Sequence, residues 1–210
     1  MNALGAHAVA NRAATAAVSL LLMQLPWSAA VAAGDYCDRV LGVIPGAAVA
    51  AAVLTRHAGR YINHRYGYSV RLPHSYSATA VAADGLQRGF DLWLSAQPAA
   101  VLTVDALYDV HYDVAAAAVQ KRDLDAMRLQ VQRVLRVDST QAALAGVAGR
   151  RYVAYVQCGP AAQSYVHDDT VVIRDREIYR VHLQTTAERY GTDVKVANDL
   201  LRSWRWETLQ

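Results

Sequence analysis

His167, Asp169 and His182 are the residues whose types and spacing come nearest to a ligand set in this 210-residue chain. Residues 164–173 and 177–185 read as two strands of a hairpin around Asp175-Arg176. If that pair forms a two-residue turn, Arg174 faces Glu177, Asp169 faces His182 and His167 faces Gln184. Side chains repeat every second residue along a strand, so these groups share one face, with Arg180 beside them. Two imidazoles and one carboxylate are a known set for zinc or non-haem iron. The arrangement predicts a divalent metal at His167, Asp169 and His182, and with it a small metal-dependent hydrolase or oxygenase. A one-residue slip of register would scatter the set. The competing expectation is a hydrated outer face of the sheet. Asp109, His111 and Asp113 form a second same-face row, read either as a cation site or as a solvated strand end with Asp113 capping the next helix.

Motif chemistry is otherwise missing from the sequence. No Gly-x-Ser-x-Gly, glycine-rich phosphate loop, Cys-x-x-Cys or His-Glu-x-x-His occurs. Glutamate appears only at Glu177, Glu188 and Glu207, so carboxylate chemistry would rest on aspartate. No catalytic residue is assigned, no cofactor is expected beyond the metal alternative, and the reading leans away from an enzyme. The net charge of +3 gives no footprint for nucleic acid. Arginine adjoins tyrosine at Arg60-Tyr61, Arg65-Tyr66, Arg151-Tyr152, Tyr179-Arg180 and Arg189-Tyr190. Neighbours on a strand face opposite ways, so the expectation is tyrosine in the core and arginine in water. Trp93 and Trp206, if exposed, are the first candidates for a partner-docking patch, since Trp, Tyr and Arg dominate interface hot spots.

These residues must be carried by a chain that reads as exported. Arg12 precedes an apolar stretch, Ala13 to Leu25, densest at Leu20–Met23; Pro26 breaks it and small residues run to Ala33. That order of charge, apolar helix, breaker and small residues is a secretory signal, with cleavage after Ala32 or Ala33. Residues 1–33 are therefore read as a signal peptide, 34–58 as a tail or short docked helix, and 59–210 as one α+β domain. Gln24 and Pro26 interrupt a stretch barely long enough to span a bilayer, so no stable span is expected after cleavage. Cys37 and Cys158 both survive processing. In an oxidising compartment their even count favours a disulfide, the alternative being a buried thiol and a tail thiol. A partner, protein or small ligand, is then expected in the cell envelope.

Hydrophobic residues make up 54% of the chain and charged ones 19%, the reverse of a disordered composition. Strand alternation appears at Tyr66–Pro73, Phe90–Ser95 and 101–112, where Leu102, Val104, Ala106, Tyr108, Val110 and Tyr112 share a face. Steps of mostly three and four residues predict a helix over 114–135. Strands follow at 136–144 and 151–158. After the hairpin, Thr185 and Glu188 read as a capping box, with Asp193 as a second possible cap, for a helix ending near Trp204. The order β-β-β-β-α-β-β-β-β-α argues for an antiparallel sheet of about seven to eight strands with two main helices packed on it.

Tyr61-Ile62-Asn63, Arg65 to Val70 and Leu72-Pro73 resemble the opening strands of PsbP-like proteins, and Leu201-Arg202-Ser203-Trp204-Arg205-Trp206 resembles that group's closing segment. The group includes small bacterial periplasmic proteins of the DcrB type. The resemblance spans about residues 59–208 and brings no catalytic residues. It implies a PsbP-like α+β fold and a non-catalytic binding or assembly role. The reading is an exported binding protein of unknown client. The alternatives are the metal-dependent enzyme above and a periplasmic secretion-accessory or toxin-immunity protein.

Overall fold

Strand pairing begins at Arg60 and the chain closes on itself near Trp206. The computed structural model describes residues 59–83, 86–96, 99–108, 115–158 and 163–208. The elements are β1 (Arg60–Asn63), β2 (Tyr68–Arg71), β3 (Ser77–Ala83), β4 (Leu86–Ala96), β5 (Ala99–Tyr108), α1 (Ala116–Arg128), β6 (Arg133–Leu144), β7 (Val147–Cys158), β8 (Gln163–Arg174), β9 (Glu177–Thr186), α2 (Tyr190–Ser203) and β10 (Arg205–Trp206). Seven strands form one antiparallel sheet in the order β3-β4-β5-β9-β8-β7-β6. β1, β2 and β10 form a separate three-stranded sheet. The α+β class and the two helices match the sequence reading. The division into two sheets does not follow from it, because alternation marks a strand without saying which strands pair.

The large sheet is covered on both faces. Leu102, Val104 and Ala106 of β5, Tyr179, Val181 and Leu183 of β9, and Val172 of β8 join one buried cluster with Ala197, Leu200 and Trp204. The small sheet adds Tyr61, Tyr68 and Val70 to this core. Tyr68 stacks on Trp204 with ring centroids 4.5 Å apart. On the opposite face, Met127 of α1 packs with Tyr152, Ala154, Val156, Cys158 and Tyr165, and Val119 packs with Val171 and Ile178. The β8–β9 hairpin has the expected register: Asp169 lies opposite His182, His167 opposite Gln184 and Arg174 opposite Glu177. Asp175 and Arg176 both take positive φ, 52° and 68°, as a tight two-residue turn requires.

Two boundaries differ from the sequence reading. The first helix ends at Arg128, not near 135, because Gln132 N–H already bonds to the Gln157 carbonyl and starts the β6–β7 ladder. Val131 and Val134 still reach the Met127 cluster, so the helical spacing of apolar residues runs on into a strand. The second helix begins at Tyr190, and Thr185 does not cap it with Glu188. Its hydroxyl donates to Asp193 at 2.5 Å, and Arg189 binds the same carboxylate. Asp193 is thus the acid of the first turn, where the helix dipole favours it. Strand 101–112 is described to Tyr108; Asp109, His111, Asp113 and the proposed Asp113 cap lie outside the described residues, as do residues 1–58 with their signal and tail readings.

Candidate functional site

The polar face of the β8–β9 hairpin is not an outer face. α1 lies across it, and a cavity of about 340 Å³ is left between helix and sheet. Thr103 and Asp105 enter it from β5, Arg180, His182 and Gln184 from β9, His167 and Asp169 from β8, and Tyr152 from β7. Asp123, Ala126, Met127 and Gln130 close it from the helix. Cross-strand register explains the convergence: Thr103 pairs with His182, Asp105 with Arg180, His182 with Asp169, and Asp169 with Tyr152. One row of paired positions across four strands therefore points a band of polar groups at α1.

Asp169 is the centre of that band and is 1% exposed. The Tyr152 hydroxyl donates to its Oδ2 at 3.0 Å. Arg180 Nε lies 3.4 Å from the same oxygen, and His182 Nδ1 lies 3.8 Å away. Oδ1 is buried and accepts no hydrogen bond from the protein. Arg180 also bridges to Asp123 on α1, so one guanidinium ties helix to sheet. Burial alone would push the Asp169 carboxyl up, but Arg180, His182 and the Tyr152 hydroxyl together outweigh it and hold it below the ordinary range. Asp123 goes the other way: burial raises it despite Arg180. Asp169 is the firmly ionised member of the pair. His167, 2% exposed, is held well below its usual pKa by burial and then by His182, whose ring centroid is 4.8 Å from its own. It is a neutral imidazole at neutral pH.

The three predicted ligands are thus brought together on one face, in the expected register. Among the described residues, no group of three or more His, Cys, Asp or Glu side chains is arranged to hold a metal ion. The Asp169 oxygen nearest His182 is already occupied by Tyr152 and faced by Arg180. The arrangement instead presents an ionised carboxylate with a spare acceptor atom, a neutral imidazole and amide side chains. The sequence reading missed Asp123 and Thr103 as members of the site. Thr103 alternates with the apolar Leu102 and Val104 and so falls on the polar face of its strand, but which strand it pairs with is not written in that pattern. Asp123 lay on an amphipathic helix whose docking face alternation could not assign.

The other candidates fall elsewhere. Trp93 on β4 and Trp206 on β10 are both half-buried. Trp206 packs on Tyr179 and Trp204, its Nε1 donates to the Ala145 carbonyl at 3.2 Å, and the Arg174 guanidinium lies 4.6 Å over its ring. Cys158 is buried at the end of β7, and its expected partner Cys37 lies outside the described residues.

The fold is that of the PsbP-like group. The cyanobacterial PsbP (CyanoP) of Synechocystis sp. PCC 6803 superposes with a TM-score of 0.52 at 15% identity, covering 70% of this chain and 91% of that one. LpqN of Mycobacterium tuberculosis, described as involved in cell envelope biogenesis, aligns over 67% of this chain and 83% of its own at 8% identity, with a TM-score of 0.43. No family model matches the sequence. No curated protein matches it either. At these identities the likeness shows the fold alone.

Proposed function

We propose that this chain is an exported, non-catalytic binding protein of the cell envelope, and that the cavity beneath α1 holds a small ligand rich in hydrogen-bond donors. The observation that carries this reading is Asp169: a buried carboxylate with one oxygen unsatisfied in a cavity. A buried charged acceptor left without a partner is costly, and a donor entering the cavity removes that cost. Asp105, Asp123 and Asp169 face the cavity against Arg180, with Arg88 gripping Asp105 at 2.9 and 2.7 Å. The balance favours a neutral or singly cationic guest: a small polyol, sugar or amine.

Export rests on the charge, apolar helix, breaker and small-residue order of residues 1–33. Among the described residues no helix is long and apolar enough to cross a membrane. The Cys37–Cys158 disulfide belongs to the same reading; the burial of Cys158 and the want of any free described cysteine support it. It would tie the mature N-terminus to the edge of the α1 face.

The test is an NMR titration of the mature protein with hexoses, amino acids, short polyamines and zinc in turn. Resonances of His167, His182 and Thr103 are expected to shift with an organic donor. The shift should disappear in Asp169→Asn and in Ala126→Trp, which fills the cavity mouth from an exposed helix position. Stoichiometric zinc binding at His167 and His182, with no response to any organic compound, would overturn this reading in favour of the metal alternative.

A further inference from the structure

Four arginines converge where the small sheet meets the end of α2, and nothing so far described needs them. β1 and β2 pair so that Arg60 lies directly opposite Arg71. β10 pairs with β2 so that Arg205 lies opposite Ser69, two residues from Arg71 on the same strand face. Alternation therefore sets Arg60, Arg71 and Arg205 on one side of the small sheet, while Tyr61, Tyr68 and Val70 take the other side into the core. The C-terminal turn of α2 adds Arg202 and Ser203. Together with His74 and the apolar Leu72, Pro73 and Leu200, they line a groove of about 500 Å³.

One of these arginines has a structural task. Arg60 donates to the Ser69 hydroxyl at 2.7 Å and to the Ser203 carbonyl at 3.1 Å, capping the negative end of α2. That task needs one guanidinium. Arg71, Arg202 and Arg205 are exposed. Arg202 meets Asp199, the acid of the groove lining, and Arg205 donates to the adjacent Trp204 carbonyl at 2.8 Å. Glu207 accepts from the Ser69 hydroxyl, which in turn accepts from Arg60. Among the described residues the Arg71 guanidinium has no hydrogen-bond or ion-pair partner; only its backbone N–H is engaged, by Ser203 Oγ at 2.9 Å. Like charges directly opposite on a ladder destabilise it. A fold that sets Arg60 against Arg71 and adds Arg202 and Arg205 beside them gathers more positive charge here than Asp199 and Glu207 balance.

The residue type narrows that charge. Arginine presents a planar fork of donors that matches the oxygens of a phosphate or carboxylate. We infer that the groove between β1, β2, β10 and the end of α2 binds a phosphate-type oxyanion, either a soluble phosphate ester or the head group of an anionic lipid. Arg71 supplies a free fork, Arg205 adds the donors that its Trp204 contact leaves over, and Arg202 and His74 line the side. This site lies on different elements from the cavity under α1 and stands independently of it.

Binding is tested on the whole mature protein at constant ionic strength. Calorimetry uses inorganic phosphate and glycerol 3-phosphate, and co-sedimentation uses phosphatidylcholine vesicles with and without phosphatidylglycerol. The double variant Arg71→Gln, Arg205→Gln and the single variant Arg202→Gln change exposed side chains only, and thermal unfolding checks that each folds. Affinity should fall at least about tenfold in the double variant. It should hold in Arg128→Gln, Arg133→Gln, which removes the same charge from exposed positions on α1 and β6. Binding to phosphate or glycerol 3-phosphate assigns the soluble source; binding only to phosphatidylglycerol vesicles assigns the lipid head group. Failure of both, or equal loss in the groove variant and the α1–β6 variant, overturns the site.

Discussion

Asp169 and His167 sit two residues apart on β8, on one face, with opposite electrical fates. Asp169 is kept charged by Arg180, His182 and Tyr152, while His167 is kept neutral because burial removes the water a cation needs. The consequence is a pH dependence of stability with a definite sign. His167 has a folded pKa below its ordinary 6.5, so below that value the unfolded chain binds the proton that the folded one refuses. Its contribution is complete above about pH 7 and is lost as pH falls through about 6 and 5, with a slope approaching about 1.4 kcal/mol per pH unit. Asp123, whose folded pKa is raised, works in the opposite direction in the more acidic window above 3.8. Urea unfolding of wild type and His167→Gln across pH 5 to 7.5 separates the two: the wild-type decline should flatten in the variant, since Asp123, Asp169, Arg180 and His182 remain. At this scale the hairpin pairs were legible because a two-residue turn fixes every opposite position. Their burial was not legible, because the element that covers them lies in a different stretch of chain.

The elements are held in register by a few tight places. Gly89 on β4 is one: a Cβ there would stand 1.8 Å from the Val104 carbonyl oxygen on β5. Gly89→Ala should part the two strands and lower stability by about 3 kcal/mol, read by urea unfolding, the upper range for forcing an extra carbon into a packed site. The β6–β7 turn offers the reverse. Ala145 takes φ 45° and is exposed, ahead of Gly146 at φ 87°. Alanine tolerates that region poorly, whereas Asn-Gly is the favoured pair for such a hairpin. Ala145→Asn should stabilise the protein by about 0.5–1 kcal/mol in the same assay. Alternation located most of the long strands within a few residues but gave none at Ser77–Ala83, where β3 is built mostly of alanine and shows no apolar–polar contrast. It overran at the first helix because Leu124, Met127 and Val131 keep helical steps and all join one cluster, although the chain has left the helix before Val131. Period alone cannot report where hydrogen bonding changes partner.

At the scale of the molecule, α1 closes one face of the large sheet, and α2 with the small sheet closes the other. The two candidate sites lie on these different coverings: a carboxylate-centred cavity under α1 and an arginine groove where α2 meets β1, β2 and β10. Closing the chain from Cys37 to Cys158 would restrain the unfolded state over a long loop. Reduction should then lower stability by about 3–5 kcal/mol, and Cys158→Ala should lose that response to reductant. The PsbP-like architecture was legible from the Tyr-Gly-Tyr strand running into Pro73 and from the closing Ser-Trp-Arg-Trp segment, which the structure places side by side as β2 and β10. The arginine groove was not legible, because its members are 134 positions apart at Arg71 and Arg205 and meet only through that pairing. In sequence they are ordinary exposed arginines.

The central claim is that Asp169 marks a cavity filled by a small organic donor and not by a metal. It is tested most directly by native, non-reducing mass spectrometry of the protein released from the periplasm, wild type beside Asp169→Asn. The expected spectrum is a cleaved chain lacking two hydrogens, with a small non-metal adduct on the wild type that is absent from the variant. A bare wild-type chain, an adduct held equally by both, or a stoichiometric zinc or iron adduct would contradict it.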